Sequence, residues 1–197
     1  MSGDRPHADS RNPDALLAVL EKAEKDASGL PPVHKWHPDH VAEIDMRIAR
    51  DGQWFYQGGP IERPAMVRLF STILRREGER YYLVTPVEKL GIQVEDVPFV
   101  AVALDVLEEA GEPVLAFTTH VGATVVADEA HPLRVEIDPA TGEPSPYVYV
   151  RDDMEALIHR NVFYELVARA RQATIDGRAW LVVDSRGSVF PVGPLDG

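Results

Sequence analysis

IDMRIARDGQWFYQGGPIERPAMVRLFSTILRREGERYYLVTPVEKLGIQV, residues 44–94, reads as strand, tight turn, strand, helix, strand, turn, strand. Its clearest signal is Asp51-Gly52 between two β-prone runs, a pair suited to the two positive-φ positions of a type I′ hairpin turn. A two-residue turn there sets the register: Arg50 faces Gln53, Ala49 faces Trp54, Ile48 faces Phe55 and Arg47 faces Tyr56. Paired residues share a face. Met46, Ile48 and Phe55 are therefore expected in the core, with Asp45, Arg47, Trp54 and Tyr56 on the other side. That second set holds the aromatic, cationic and anionic groups with which a polar ligand is held. A sheet buried on both faces, with Arg47 and Asp45 paired at its margin, is the structural alternative, and it stays open at this point.

Composition narrows the function classes. The chain of 197 residues is long enough for one large domain or two small ones. Its 20 basic and 32 acidic residues give a net charge of −12, which repels a polyanion and disfavours extended duplex nucleic acid. A small nucleotide held by local arginines is compatible with it. The absence of cysteine excludes disulfides, thiolate metal sites and a cysteine nucleophile, and fits a reducing cytoplasm. No run is long enough to span a membrane and MSGDRPHADS lacks the apolar core of a signal peptide, so the expectation is a soluble, cytoplasmic protein.

Outward from the central stretch, residues 1–12 are polar and read as loose. Pro13 opens a helix through DALLAVLEKAEKDA with Leu16, Leu17 and Leu20 as its apolar stripe and Gly29 as its stop. His34, His37 and His40 recur at intervals of three, but Pro38 disfavours a helix there and no further ligand completes a metal set. A second helix is expected over 64–77, with Met66, Leu69, Phe70, Ile73 and Leu74 inward and Arg68 and Arg75 on a solvated face. Strands follow at 81–85, 91–94, 99–107, 113–119, 124–127, 133–137 and 147–151. Asp152 or Asp153 is expected to cap a helix running to about Arg171, with a last hairpin at 180–184 and 188–192.

YLVTPVEKLGIQV from Tyr82 aligns without a gap on WLVVDSRGSVFPV from Trp180. The fold expectation is therefore α+β, an internal duplication of a β-β-α-β-β unit with extra strands. The boundaries expected are 1–32 for the N-terminal helix and linker, 33–98 for the first half and 99–197 for the second.

Residues 44–100 resemble the signature of a bacterial family, domain of unknown function 1285. Asp45, Arg47, Arg50, Asp51, Gly52, Trp54, Pro60, Ile61, Arg63, Thr85, Pro86, Glu88, Asp96 and Pro98 carry the match. The resemblance implies a duplicated α+β protein whose second half is superficially similar to pleckstrin-homology folds. It also implies a nucleotide-like or nucleic-acid-derived ligand at the junction of the halves and a role in signalling, with no established activity. The hairpin after the second helix departs from pleckstrin-homology order, so membrane binding is not carried over.

On this reading the ligand-binding candidates are Asp45, Arg47, Trp54, Tyr56, Arg63, Glu88 and Asp96. A base stacks on Trp54 or Tyr56, Arg47 and Arg63 offer bidentate bonds to a phosphate, and Glu88, Glu95 and Asp96 supply the opposite charge. An ion-pair network without any ligand is the competing account of the same groups. No cofactor is expected. Two other functions stay open: a hydrolase of phosphate esters working through a carboxylate pair, and a protein-interaction module using the N-terminal helix or a sheet edge, with a partner protein or a second copy. GxSxG, Walker A, HExxH and dinucleotide-binding motifs are absent, which weighs against catalysis.

Overall fold

The first hairpin is held by a longer turn than Asp51-Gly52 alone. In the computed structural model, which describes residues 12–27 and 29–195, Ala49 N–H donates to the Gln53 carbonyl at 2.9 Å, so the loop is Arg50-Asp51-Gly52. Of the three only Gly52 has positive φ, at +88°. A type I′ turn needs two such residues, whereas a three-residue loop needs one glycine at its end. The register moves by one: Ile48 faces Trp54, Arg47 faces Phe55 and Met46 faces Tyr56. A one-residue slip exchanges faces. The expected grouping of Trp54 with Arg47 is thereby corrected. Trp54 joins Met46 and Ile48 in the core, and the Arg47 guanidinium lies 4.3 Å from the centroid of the Phe55 ring on the other side.

The chain divides into two compact units, one comprising the residues up to Ala49 with Gln53–Val94, the other Arg50–Gly52 with the residues from Glu95 onward. The first opens with α1 (Pro13–Leu20), where the Asn12 side chain accepts the Asp14 N–H. The helix ends well short of Ala27, because beyond Leu20 the sequence offers charged residues and no apolar anchor, and a short helix needs tertiary packing. The expectation for residues 1–11 lies outside the described residues. A turn of 3-10 helix (Val33–Lys35) leads to β1 (His40–Ile48), β2 (Trp54–Tyr56) and β3 (Gly59–Pro60), then α2 (Pro64–Ser71), β4 (Leu74–Glu77), β5 (Arg80–Val84) and β6 (Glu88–Val94). They form one six-stranded sheet, ordered β3-β2-β1-β6-β5-β4, in which only β1 and β6 run parallel.

The second unit contains β7 (Phe99–Glu109), β8 (Glu112–Thr119), β9 (Thr124–Val126), β10 (Leu133–Ile137), β11 (Pro144–Arg151) and β12 (Met154–Ile158). Their order is β10-β11-β12-β7-β8-β9, again with one central parallel pair, β12 and β7. Then α3 (Arg160–Val167) leads into a separate meander of β13 (Arg171–Ile175), β14 (Arg178–Ser185) and β15 (Ser188–Pro194). Ser185, fully buried, ties it in: its Oγ donates to the Ala127 carbonyl at 2.6 Å and accepts the Leu115 N–H at 2.9 Å. The fold is α+β and dominated by sheet.

Two expected helices are shorter than their apolar spacing implies. Residues 74–77 form β4, paired to β5 across Gly78, and Arg75 is no solvated residue: its guanidinium donates to the Trp36 carbonyl at 2.8 Å. Residues 154–158 form β12, whose buried positions Met154, Ala156 and Ile158 alternate. Met154, Leu157 and Ile158 fit helical spacing equally well, and the small Ala156 masked the alternation. Asp152 and Asp153 cap nothing; both have positive φ and make the β11–β12 turn. The gapless alignment of 82–94 on 180–192 also slips in strand pairing, because residues 85–87 connect β5 to β6 whereas Arg186-Gly187 alone connects β14 to β15.

Candidate functional site

One cleft lies within the second unit and has a volume of about 510 Å³. Its walls are the β10–β11 turn, the outer side of β12 and the first turns of α3. The turn is shaped locally: Asp138 Oδ1 accepts the N–H groups of Ala140 at 2.7 Å and Thr141 at 3.2 Å, and Asp138 N–H donates to the Glu143 carbonyl. Because Ile158 faces the core at 2 % exposure, Leu157 faces the other way and supplies apolar wall with Phe163. Tyr164, one turn into α3 and 61 % exposed, places a large ring at the rim. His159 caps the helix, its side chain accepting the Asn161 N–H. Arg160 follows, exposed and lining the cleft.

Two guanidinium groups reach this cleft, and they are held differently. Arg50, in the hairpin tip that belongs to this unit, pairs with Asp96 at 3.1 Å, donates to Ser145 Oγ at 2.9 Å, and offers its backbone N–H to Glu95 at 2.9 Å. Asp96 in turn accepts from the Tyr147 hydroxyl at 3.0 and 3.1 Å. Burial first, and Asp96 second, raise the Tyr147 phenol above its ordinary pKa. The Tyr147 ring is covered by Arg134 at 4.3 Å, itself forked onto Glu155 at 2.6 Å. Arg160, by contrast, makes no hydrogen bond or ion pair among the described residues.

Gly52 fixes where that tip sits. A Cβ built on it would come within 3.0 Å of Val100 Cγ2 and 3.1 Å of His120 Nε2, and its φ is already in the left-handed region. Only glycine fits there without displacing a neighbour. His120 accepts the Val100 N–H on Nδ1, and burial holds its pKa below the ordinary 6.5, opposed by the backbone of Val100 and Gly52.

The first unit has a shallower cleft of about 390 Å³, which brings Tyr56 and Arg63 together with Asp14. Here the cation is already engaged: Arg63 Nη2 lies 2.6 Å from Asp14 Oδ1. Of the other expected site residues, Trp54 is 1 % exposed, its ring centroid 6.3 Å from that of Phe70. Asp45 is exposed, on the same side of the hairpin as Arg47 and opposite to Trp54. Glu88 is buried at the start of β6, its backbone bonded to Thr85. The seven residues therefore do not form one cluster: Tyr56 and Arg63 share a cleft, and Asp96 reaches another through Arg50. Sequence reading missed Arg160, Ser145, Phe163 and Tyr164. One signal was available, the polar run His159-Arg160-Asn161 breaking the apolar stripe just before Val162. Among the described residues no three His, Asp or Glu side chains gather as a metal site, and no helix is long and apolar enough to cross a membrane.

This architecture defines a class of two-unit α+β proteins with a six-stranded mixed sheet in each unit. A crystal structure of a DUF1285 family protein from Silicibacter pomeroyi DSS-3 shares it, with a TM-score of 0.80 and 54% identity over 92% of this chain and 96% of that one. One from Shewanella baltica OS155 has a TM-score of 0.50 at 24% identity, covering 62% of this chain and 90% of its own, a likeness of fold alone. Residues 31–97 match the model described as "Domain of unknown function (DUF1285), N-terminal domain", and residues 98–192 "Protein of unknown function (DUF1285), C-terminal domain". The chain belongs to the DUF1285 family. Curated proteins gave no match.

Proposed function

We propose that the protein is a non-catalytic, cytoplasmic signalling component that binds a small nucleotide-like ligand in the cleft of its second unit. The observation that carries this reading is Arg160, an unpaired guanidinium at the mouth of a cleft with an exposed tyrosine ring one turn away. Guanidinium groups grip phosphate through parallel hydrogen bonds, and aromatic rings accept a base by stacking. Arg50, pre-oriented by Asp96 and Ser145, is the second cation, and this is how Asp96 enters the site. Tyr56 and Arg63 form a reserve site in the first unit, open only after the Asp14 ion pair breaks. The matching strand order of the two sheets supports a duplicated sheet as the origin of the fold.

The test is a thermal-shift panel of inorganic phosphate, nucleosides, nucleoside mono- and diphosphates and dinucleotides, with the ligand recovered and checked for intactness. A ligand at one hundred times its dissociation constant stabilises by about 2.7 kcal/mol, several degrees for a domain this size. The expected result is a shift with nucleotides that Arg160→Ala and Tyr164→Ala abolish and Arg63→Ala preserves. No shift with any member of the panel defeats the proposal. A shift lost only in Arg63→Ala moves the site to the first unit, and hydrolysed nucleotide favours the enzyme.

A further inference from the structure

Strand β7 overruns its parallel neighbour. β12 pairs with it only from Phe99 to Ala101, where His159 N–H also bonds to the Ala101 carbonyl and α3 packs against β7; beyond this β7 continues to Glu109 with β8 on one side and, among the described residues, no strand on the other. Every residue of this stretch except Leu104 is exposed, including Val102 at 48 %, Val106 at 38 % and Leu107 at 52 %. An open edge with apolar side chains is a ready template for another strand, and proteins ordinarily cover or shorten such edges.

The charges select what would cover it. β7 carries no Lys, Arg or His, and Asp105 and Glu108 have no ion-pair partner among the described residues, whereas Glu109 is already paired with Arg186. A second copy would set acidic side chains against acidic ones in a chain of net charge −12, which disfavours self-pairing. We infer that the open edge of β7 binds, by strand addition, an extended segment of a partner protein in which basic and apolar residues are spaced to match. For an antiparallel strand read from the position opposite Glu108 to that opposite Ala103, the pattern is basic, apolar, apolar, basic, apolar, apolar. Backbone hydrogen bonds supply affinity in this mode and the side-chain pattern supplies selectivity.

The test uses the full chain and a fluorescein-labelled peptide, Lys-Val-Ile-Lys-Val-Val, flanked by glycines, against the same peptide with Glu for Lys. Fluorescence anisotropy is expected to show saturable binding of the basic peptide, at least tenfold weaker binding of the acidic one, and weakening with salt. The Asp105→Lys, Glu108→Lys double variant, at exposed positions that leave the fold alone, is expected to reverse the preference. Slowed amide exchange confined to residues 102–109 on peptide addition locates the contact. Equal binding of the two peptides, unchanged preference in the double variant, protection elsewhere, or a dimer with these amides protected before any peptide is added overturns the inference.

Discussion

The two six-stranded sheets have the same strand order and differ in how their central strands match. In the first, β1 is accompanied by β6 from His40 to Ile48. In the second, β7 outlasts β12 by most of its length. In the first unit Trp54 is taken up by the core, Arg63 by Asp14 and Arg75 by the Trp36 carbonyl, while Arg68 stays exposed on α2. The second leaves Arg160 and the Tyr164 ring unengaged, and β7 beyond Ala101 without a second strand neighbour, among the described residues. Similar strand order thus comes with a cleft whose arginine is already paired in one unit and a cleft with an unpaired arginine in the other, and the difference lies in strand lengths and in the placing of α3.

The largest expected effect separates a residue that looks like a ligand platform from one that is exposed as such. Trp54→Ala should cost about 3–5 kcal/mol in urea unfolding, the usual toll for emptying a large aromatic site. Its indole Nε1 is buried without a hydrogen-bond partner, which pulls the figure toward the lower end. Val106→Ala, on the overrunning part of β7, should cost under about 1 kcal/mol because it is already 38 % exposed. Equal costs would mean that the second sheet is as closed as the first.

Acid should distinguish the units next. His120 is held below its ordinary pKa chiefly by burial, so the unfolded chain takes up a proton first as pH falls. Its contribution to stability is complete above pH 6.5 and is lost as the pH drops through the lower folded value. In the first unit the shifted carboxylate is Glu77, lowered chiefly by the hydrogen bond from Lys89, and its contribution persists down to about pH 4.5. Between pH 7 and 5, then, the urea midpoint followed by NMR at β8 should fall while that at β6 holds, and His120→Gln should flatten the β8 dependence. A parallel fall at both strands would show that the units do not respond separately.

Much of the sheet could be read in advance, and the reason is local. Residues 133–137 are β10 as expected, and the neighbouring strands differ mainly at their ends, since alternation and turn residues are written in consecutive positions. What could not be read depended on single residues with two valid interpretations. Asp51-Gly52 suits a two-residue or a three-residue loop, and the choice between them decided which face Trp54 occupies. Met154, Leu157 and Ile158 satisfy helix and strand alike until β11 pairs beside them. The cleft was harder still, because Arg50, Ser145 and Arg160 are distant in sequence and meet only after the second sheet and α3 have formed. Asp96 was singled out, but its meaning depends on Tyr147 and Arg50, which only the fold brings to it.

The smallest effect bears on which of the two arginines matters. Tyr147→Phe removes one hydroxyl and leaves the ring beneath Arg134. Asp96 loses bonds of 3.0 and 3.1 Å but remains 19 % exposed and can take water, so the stability cost should be about 1 kcal/mol. The effect on binding follows from charge. Without the phenol, the Asp96 carboxylate has Arg50 as its remaining strong partner and draws that guanidinium away from a ligand. Nucleotide affinity should then weaken by only a few-fold, measured by titration calorimetry, because Arg160 is untouched. A loss as large as that of Arg160→Ala would reverse the order of the two cations, making the pre-oriented Arg50 the grip and Arg160 a bystander at the rim.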